Sequence, residues 1–232
     1  MITSDQCWLK SNCKKGLDPN SECNSCDSYF CIKLYKLTEL YDKALIPQSK
    51  RKPFKLRIDA DETDKDKFII LKTIENKIQD FIADGANLYI YSNNCGNGKT
   101  SWAIRLVQSY LNKIWITSEL TCRALYVCVP QFLLALKDNI SERNDYVNYI
   151  LKHVNNADLV IWDDVATKSF TEFERERLFA LINDRLIQNK SNIFTSNLSP
   201  TDLDTLVGAR LYSRIVNSSM CIELRGKDKR GI

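Results

Sequence analysis

The 232-residue sequence contains a single histidine, which argues against His-based metal catalysis and against Ser-His or Cys-His nucleophilic triads. No apolar run approaches the roughly 18 residues that a membrane span needs. The first residues, MITSDQCWLK, lack the apolar stretch of a secretory signal, so a cytoplasmic protein with no membrane association is expected. Neither sign of charge dominates. There are 33 Lys and Arg against 29 Asp and Glu, a formal charge of +4, and 44% of residues are hydrophobic. Balanced charge with that much apolar content excludes a disordered chain and supplies one sizeable core. Glycine (7) and proline (5) are scarce, so where glycines cluster they carry meaning.

Cysteine is the exception to this scarcity, with nine residues and no secretory leader, a pattern of a reducing compartment rather than of disulfides. Five fall in the first 31 residues: Cys7, Cys13, Cys23, Cys26 and Cys31. Cys23-x-x-Cys26 is a chelating pair, and four thiolates suit a closed tetrahedral zinc site. A segment of about 46 residues cannot bury enough core to be stable alone, so a metal staple is physically useful. Five candidates for four positions leave one spare. Cys31 is favoured because it begins a helix, and Cys7 and Cys13 are equal candidates. The remaining Cys95, Cys122, Cys128 and Cys221 read as small buried hydrophobes.

Two domains are expected. Residues 1–46 hold the cysteines followed by an amphipathic helix in which Leu34, Leu37 and Tyr41 recur at helical spacing. Residues 47–64, polar and containing Pro47 and Pro53, read as a basic linker. Residues 65–232 alternate helix and strand. Phe68 to Ile82 step by three and four as one helix ending near Gly85, and short apolar strands are expected at Asn87–Tyr91, Leu125–Val129, Leu159–Trp162, Ile193–Ser196 and Met220–Leu224. Helices are expected at 100–111, 132–137 and 173–186. That alternation predicts an α/β fold with a central parallel sheet flanked by helices.

The chemistry concentrates at Ser92-Asn93-Asn94-Cys95-Gly96-Asn97-Gly98-Lys99-Thr100-Ser101, directly after one strand and opening a helix, the position of a phosphate-binding loop. Backbone N–H groups of such a turn and of the helix start face phosphate oxygens. Gly96 and Gly98 permit close approach, Lys99 would contact the β- and γ-phosphates, and Thr100 would ligate Mg²⁺. The full pattern places glycine where this sequence has Asn93, the non-glycine residue that best tolerates left-handed backbone angles. Sixty-three residues after Thr100, the apolar strand Leu159–Trp162 ends in Asp163 and Asp164. Asp163 would hold Mg²⁺, and Asp164 would orient or deprotonate the attacking water. A third strand ends Thr195-Ser196-Asn197, where Asn197 is suited to sense the γ-phosphate. Arg210 and Arg214, four apart on one helix face, are candidates for an arginine finger acting on a neighbouring subunit, with Arg214 preferred; Arg230 is a candidate second sensor.

In order and spacing, Gly-Asn-Gly-Lys-Thr, Val-Ile-Trp-Asp-Asp, Phe-Thr-Ser-Asn-Leu and Gly-Ala-Arg-Leu-Tyr-Ser-Arg resemble the DnaC/DnaI-like AAA+ ATPases, bacterial and phage loaders of replicative helicases, over about residues 65 to 232. The N-terminal cysteines resemble the small metal-binding domain ahead of the ATPase in DnaI-type and phage loaders. The resemblance implies an ATPase that binds a hexameric helicase through the N-terminal domain, self-associates with ATP between subunits, contacts single-stranded DNA and helps place the helicase ring on it. A related transposition-helper ATPase shares the motifs but would lack the cysteine module. A non-hydrolysing, ATP-switched binding protein is the third reading, sustained by Asn93 and Asp164. Low glycine with many Lys, Asn and Ile fits an AT-rich bacterial or phage genome. For DNA contact, the basic run Lys50, Arg51, Lys52 with Phe54 nearby, and Trp115, combine charge with stacking aromatics.

Overall fold

The computed structural model describes residues 28–52, 63–139, 142–166 and 168–228. Five parallel strands form one sheet: β1 (Asn87–Tyr91), β2 (Ala124–Cys128), β3 (Leu159–Asp163), β4 (Ser191–Ser196) and β5 (Met220–Glu223), in the order β2-β3-β4-β1-β5. All four strand pairs are parallel. Strands β1 to β4 are buried on both faces, as a sheet covered by helices on both sides requires, and the edge strand β5 is partly exposed. Leu88, Ile90, Ile161 and Ile193 point to one core; Tyr89, Trp162 and Phe194, one residue on, point to the other.

The first core is covered by α1 (Ser28–Lys43), α2 (Lys65–Asn76), α3 (Ile78–Ala83) and α4 (Lys99–Ile114). The second is covered by α5 (Val129–Asp138), α6 (Asp145–His153), α7 (Glu172–Ile187), α8 (Pro200–Val207) and α9 (Ala209–Tyr212), which widens into a π-helical turn, Ser213–Asn217. Among the described residues no helix is long and apolar enough to cross a membrane. The α7 start is fixed by a capping box: the Thr171 hydroxyl accepts from Glu174 N, and the Glu174 carboxylate accepts from Thr171 N at 2.7 Å.

Several details differ from the sequence expectation. The helix foreseen from Phe68 to Ile82 is two helices, broken at Lys77, where φ −105° and ψ 29° leave the helical region. α6 was not foreseen; Asn144 caps it by accepting from Val147 N at 3.2 Å. Sequence spacing groups α1 with the cysteine segment, but the helix packs on the sheet domain. Leu37, Leu40, Tyr41, Ala44 and Ile46 are buried in the same core as α4. Its C-terminal carbonyls, which a free helix would leave to water, are taken by that domain: Lys43 O accepts from Tyr149 OH at 2.8 Å and Cys122 Sγ at 3.2 Å, and Ala44 O accepts from Tyr126 N at 2.8 Å.

Cys122 is buried, as expected, but Cys95 and Cys221 are exposed and Cys128 is half-buried. Cys95 lies in the loop after β1 and Cys221 on the edge strand β5, where an apolar sequence neighbourhood does not guarantee cover. Cys7, Cys13, Cys23 and Cys26 lie outside the described residues, and Cys31 falls in the first turn of α1.

Candidate functional site

The site forms at the carboxyl ends of β1, β3 and β4, where β4 separates the glycine-rich loop from the acidic strand. The loop leaves β1 at Ser92, whose buried hydroxyl accepts from Asn94 N at 3.0 Å and from Asn97 Nδ2 at 2.5 Å. Gly96 (φ +73°) and Gly98 (φ +104°) hold the left-handed angles that turn the chain into α4. Asn93 is not among the left-handed residues, so the glycine missing at that position is not needed for the turn. Nothing lies within 4 Å of where a Cβ on Gly98 would stand, which leaves its backbone open.

Lys99 starts α4 and is buried. Its ammonium folds back onto the loop, donating to Asn94 O at 2.8 Å and, at 3.4 Å, to Ser92 O and Asn97 Oδ1. These acceptors are neutral, so an incoming phosphate would be a stronger partner for the same charge. One residue on, the Thr100 hydroxyl donates to Asp163 Oδ1 at 2.8 Å. Two residues chosen from sequence for the same cation, 63 positions apart, thus meet directly.

Asp163 is buried at the end of β3 and accepts three hydroxyls: Thr100, Thr195 at 2.6 Å and, on Oδ2, Tyr126 at 2.7 Å. Burial and the Asp163 charge push the Tyr126 hydroxyl far above its ordinary range, so it remains a donor. Carboxylate oxygens met by hydroxyls beside this loop are hard oxygen donors of the kind Mg²⁺ takes, so Thr100 and Asp163 could hold that ion. Among the described residues no group of three or more His, Cys, Asp or Glu is placed to hold a metal by itself.

Asp164 leaves the strand in a left-handed conformation, φ 56°, and Ala166 follows at φ 59°. Such angles in non-glycine residues cost of the order of 1 kcal/mol each. The β4 tip holds this turn. Thr195 Oγ1 accepts from Asp164 N at 3.0 Å while donating to Asp163, Val165 N donates to Thr195 O at 2.8 Å, and the Ser196 hydroxyl donates to Val165 O at 2.7 Å. Asn197 follows β4 directly, half-buried. Thr195, Ser196 and Tyr126 are positioning residues that sequence reading passed over. Their signal was hydroxyl-bearing side chains: Thr195 and Ser196 at the end of β4, and Tyr126 in the middle of β2.

The arginines are less concentrated. Arg210 on α9 is exposed. Arg214, on the π-helical turn, donates through Nε to Asn183 Oδ1 at 2.8 Å and lies 5.8 Å from the Phe179 ring centre, both on α7. Arg230 and Phe54 lie outside the described residues. Of the DNA candidates, Arg51 is half-buried with local partners and Trp115 is buried. Arg51 pairs with Asp42 at 2.6 Å and donates to Ile46 O at 2.9 Å.

A family model described as "Bacterial DnaA ATPAse domain" matches residues 69–222, and the chain belongs to that family of AAA+ ATPase domains. No curated protein sequence matches it. Among solved structures, the DnaC helicase loader aligns with TM-score 0.59 at 18% identity over 74% of this chain and 94% of that one. A DnaI structure aligns with TM-score 0.59 at 20% identity over 80% of this chain and 94% of that one. The replication initiator DnaA bound to AMPPCP and single-stranded DNA aligns with TM-score 0.56 at 22% identity, over 74% of this chain but 49% of that one. At these identities the likeness is one of fold.

Proposed function

We propose that this member of the bacterial DnaA ATPase-domain family is an ATP-dependent replication-initiation protein that binds a hexameric replicative helicase and helps place it on single-stranded DNA. The observation that carries the nucleotide part is the hydrogen bond from Thr100 to Asp163, which joins the phosphate loop to the acidic strand in one cluster. The loader part is supported by the likeness to the DnaC and DnaI structures, which runs through 94% of each of those chains.

In this reading the backbone from Asn93 to Ser101 cradles the phosphates and Lys99 exchanges its loop carbonyls for β- and γ-phosphate oxygens. Thr100 and Asp163 hold Mg²⁺, which supplies charge neutralisation along the phosphate chain. Asp164, set by Thr195, orients the attacking water, and Asn197 reads the γ-phosphate. Arg214 or Arg210, and Arg230, would complete a site shared between self-associated subunits. Arg214 would have to trade Asn183 for a neighbour's phosphate, and Arg210 would only have to reach. Four of Cys7, Cys13, Cys23, Cys26 and Cys31 would hold zinc in an N-terminal unit that grips the helicase.

The test is the solution mass of the chain mixed with the replicative helicase of its host, with and without ATP. A defined complex that weakens with Lys99→Ala or on zinc removal supports the reading. Its absence under every nucleotide condition removes the helicase, and steady-state turnover then separates a transposition-type ATPase from a non-hydrolysing binder.

A further inference from the structure

The segment after β5 crosses the phosphate loop, tied to the loop through its carbonyls and to Asp64 through its amides. Asn97 Nδ2 donates to Leu224 O at 2.9 Å, and Asn94 Nδ2 donates to Arg225 O at 3.2 Å and Gly226 O at 3.5 Å. On the opposite side the Asp64 carboxylate takes the strap's amides, accepting from Arg225 N at 2.8 Å on Oδ1 and from Gly226 N at 2.8 Å on Oδ2. Asp64 stands at the N-cap position of α2, where an aspartate usually accepts from its own helix, yet it makes no capping bond there. It is buried and committed to a segment more than 160 residues away. Asn94 and Asn97 of the loop and this aspartate thus all hold residues 224–226.

What the strap delivers is Asp228. A Cβ on Gly96 would lie 1.7 Å from Asp228 Oδ1 and 2.2 Å from its Cγ, so the carboxylate rests directly on the glycine. Gly96 is one of the two left-handed glycines of the loop, whose backbone a phosphate must approach, and the start of α4 with Lys99 makes the surroundings electropositive. A carboxylate against this glycine, on a residue that is otherwise exposed, sets negative charge beside the loop that would take phosphate.

We propose that Asp228, held by the strap that Asp64 latches, is a built-in competitor for the phosphate-binding loop, and that the strap must lift for nucleotide to bind. The proposal rests on the nucleotide-binding reading and adds regulation of that site. Anything that drew the strap away, such as a neighbouring subunit or the helicase, would raise nucleotide affinity without touching a phosphate-binding residue. The two conformations exclude each other through charge as well as space, since a carboxylate and a phosphate on one glycine repel.

Affinity for Mg·ATP, by titration calorimetry on the full chain, tests this with Asp228→Asn, Asp64→Asn and the double variant. A strap closed nine-tenths of the time raises the apparent Kd about tenfold, so Asp228→Asn should tighten binding by about that factor. Asp64→Asn should act in the same direction, and the double variant should not exceed the larger single effect, because both act on one latch. In the wild type, ATP should also speed hydrogen exchange at the Arg225 and Gly226 amides; a strap with a purely structural role would keep them protected. Wild-type binding with Asp228→Asn unchanged or weaker overturns the strap and leaves the nucleotide site standing. No binding by the wild type or by either single variant overturns both.

Discussion

At the carboxyl edge of the sheet, Asp163 is shared among the hydroxyls of Thr100, Thr195 and Tyr126. At the amino edge, Arg185 is shared among the carbonyls of Val154, Ala157 and Ser191 and the side-chain oxygen of Asn192. Each is a buried charge with several partners, and the partners differ in kind. Arg185 is met by backbone carbonyls already fixed by α6 and β4 and by an amide that Trp162 Nε1 also bonds at 3.1 Å. Burial pushes its guanidinium down to about 9, still charged at neutral pH, and its acceptors have no freedom to change. Around Asp163 the partners are hydroxyls, which rotate and can accept as well as donate, and the neighbouring Lys99 holds neutral carbonyls that an anion can displace. A buried charge by itself therefore does not mark a site. Exchangeable partners beside left-handed backbone do.

The comparison breaks most visibly at Arg185. Arg185→Leu takes the guanidinium donor from three carbonyls and leaves Asn192 Oδ1 with Trp162 Nε1 alone, and the fold should lose about 3–5 kcal/mol in urea unfolding. A loss under about 1 kcal/mol would mean that the amino edge is not a structural lock. Lys99→Ala should do the reverse, cutting ATP turnover by about 100-fold or more while the melting temperature moves little. A variant that still turns over ATP at half the wild-type rate would remove the phosphate-loop assignment.

Thr195→Val sharpens the contrast within the site. It deletes the hydroxyl that both donates to Asp163 and accepts from Asp164 N, with almost no change of shape. Turnover should fall about tenfold, with ATP affinity changed less than turnover, because the residue positions and does not bind. Equal losses in affinity and turnover would contradict that role.

The smallest effect belongs to Asp158, again at the amino edge, which accepts from Tyr110 OH at 2.7 Å and Arg123 Nε at 2.6 Å and pairs with Lys190 at 3.3 Å. Burial alone would raise its carboxyl, but the Tyr110 and Arg123 hydrogen bonds and the Arg123 and Lys190 charges hold it below the ordinary value. The folded state then binds this proton less readily than the unfolded chain. Its contribution is complete above the unfolded value and is lost as pH falls through the lower folded value. Asp158→Asn should flatten the fall of melting temperature below about pH 4, an effect of about 1 kcal/mol or less. An unchanged acid slope would show that these bonds form equally in the unfolded chain.

Spacing along the chain determined the alternation of strand and helix, the phosphate loop and the acidic strand end, because those are local: an apolar run of five residues, glycines at a turn, acids after a buried strand. Tertiary structure alone decided that α1 belongs to the sheet domain, since the donors for its C-terminal carbonyls come from β2, α6 and the turn before β2, about 80 to 106 residues away. It alone paired Arg51 with Asp42, buried Trp115, turned Thr195 and Tyr126 into supports for Asp163, and laid Asp228 on Gly96. Each of these is a pairing between groups remote in sequence. A polar side chain at a strand end declares that it needs a partner, but only the packed chain determines which one it meets.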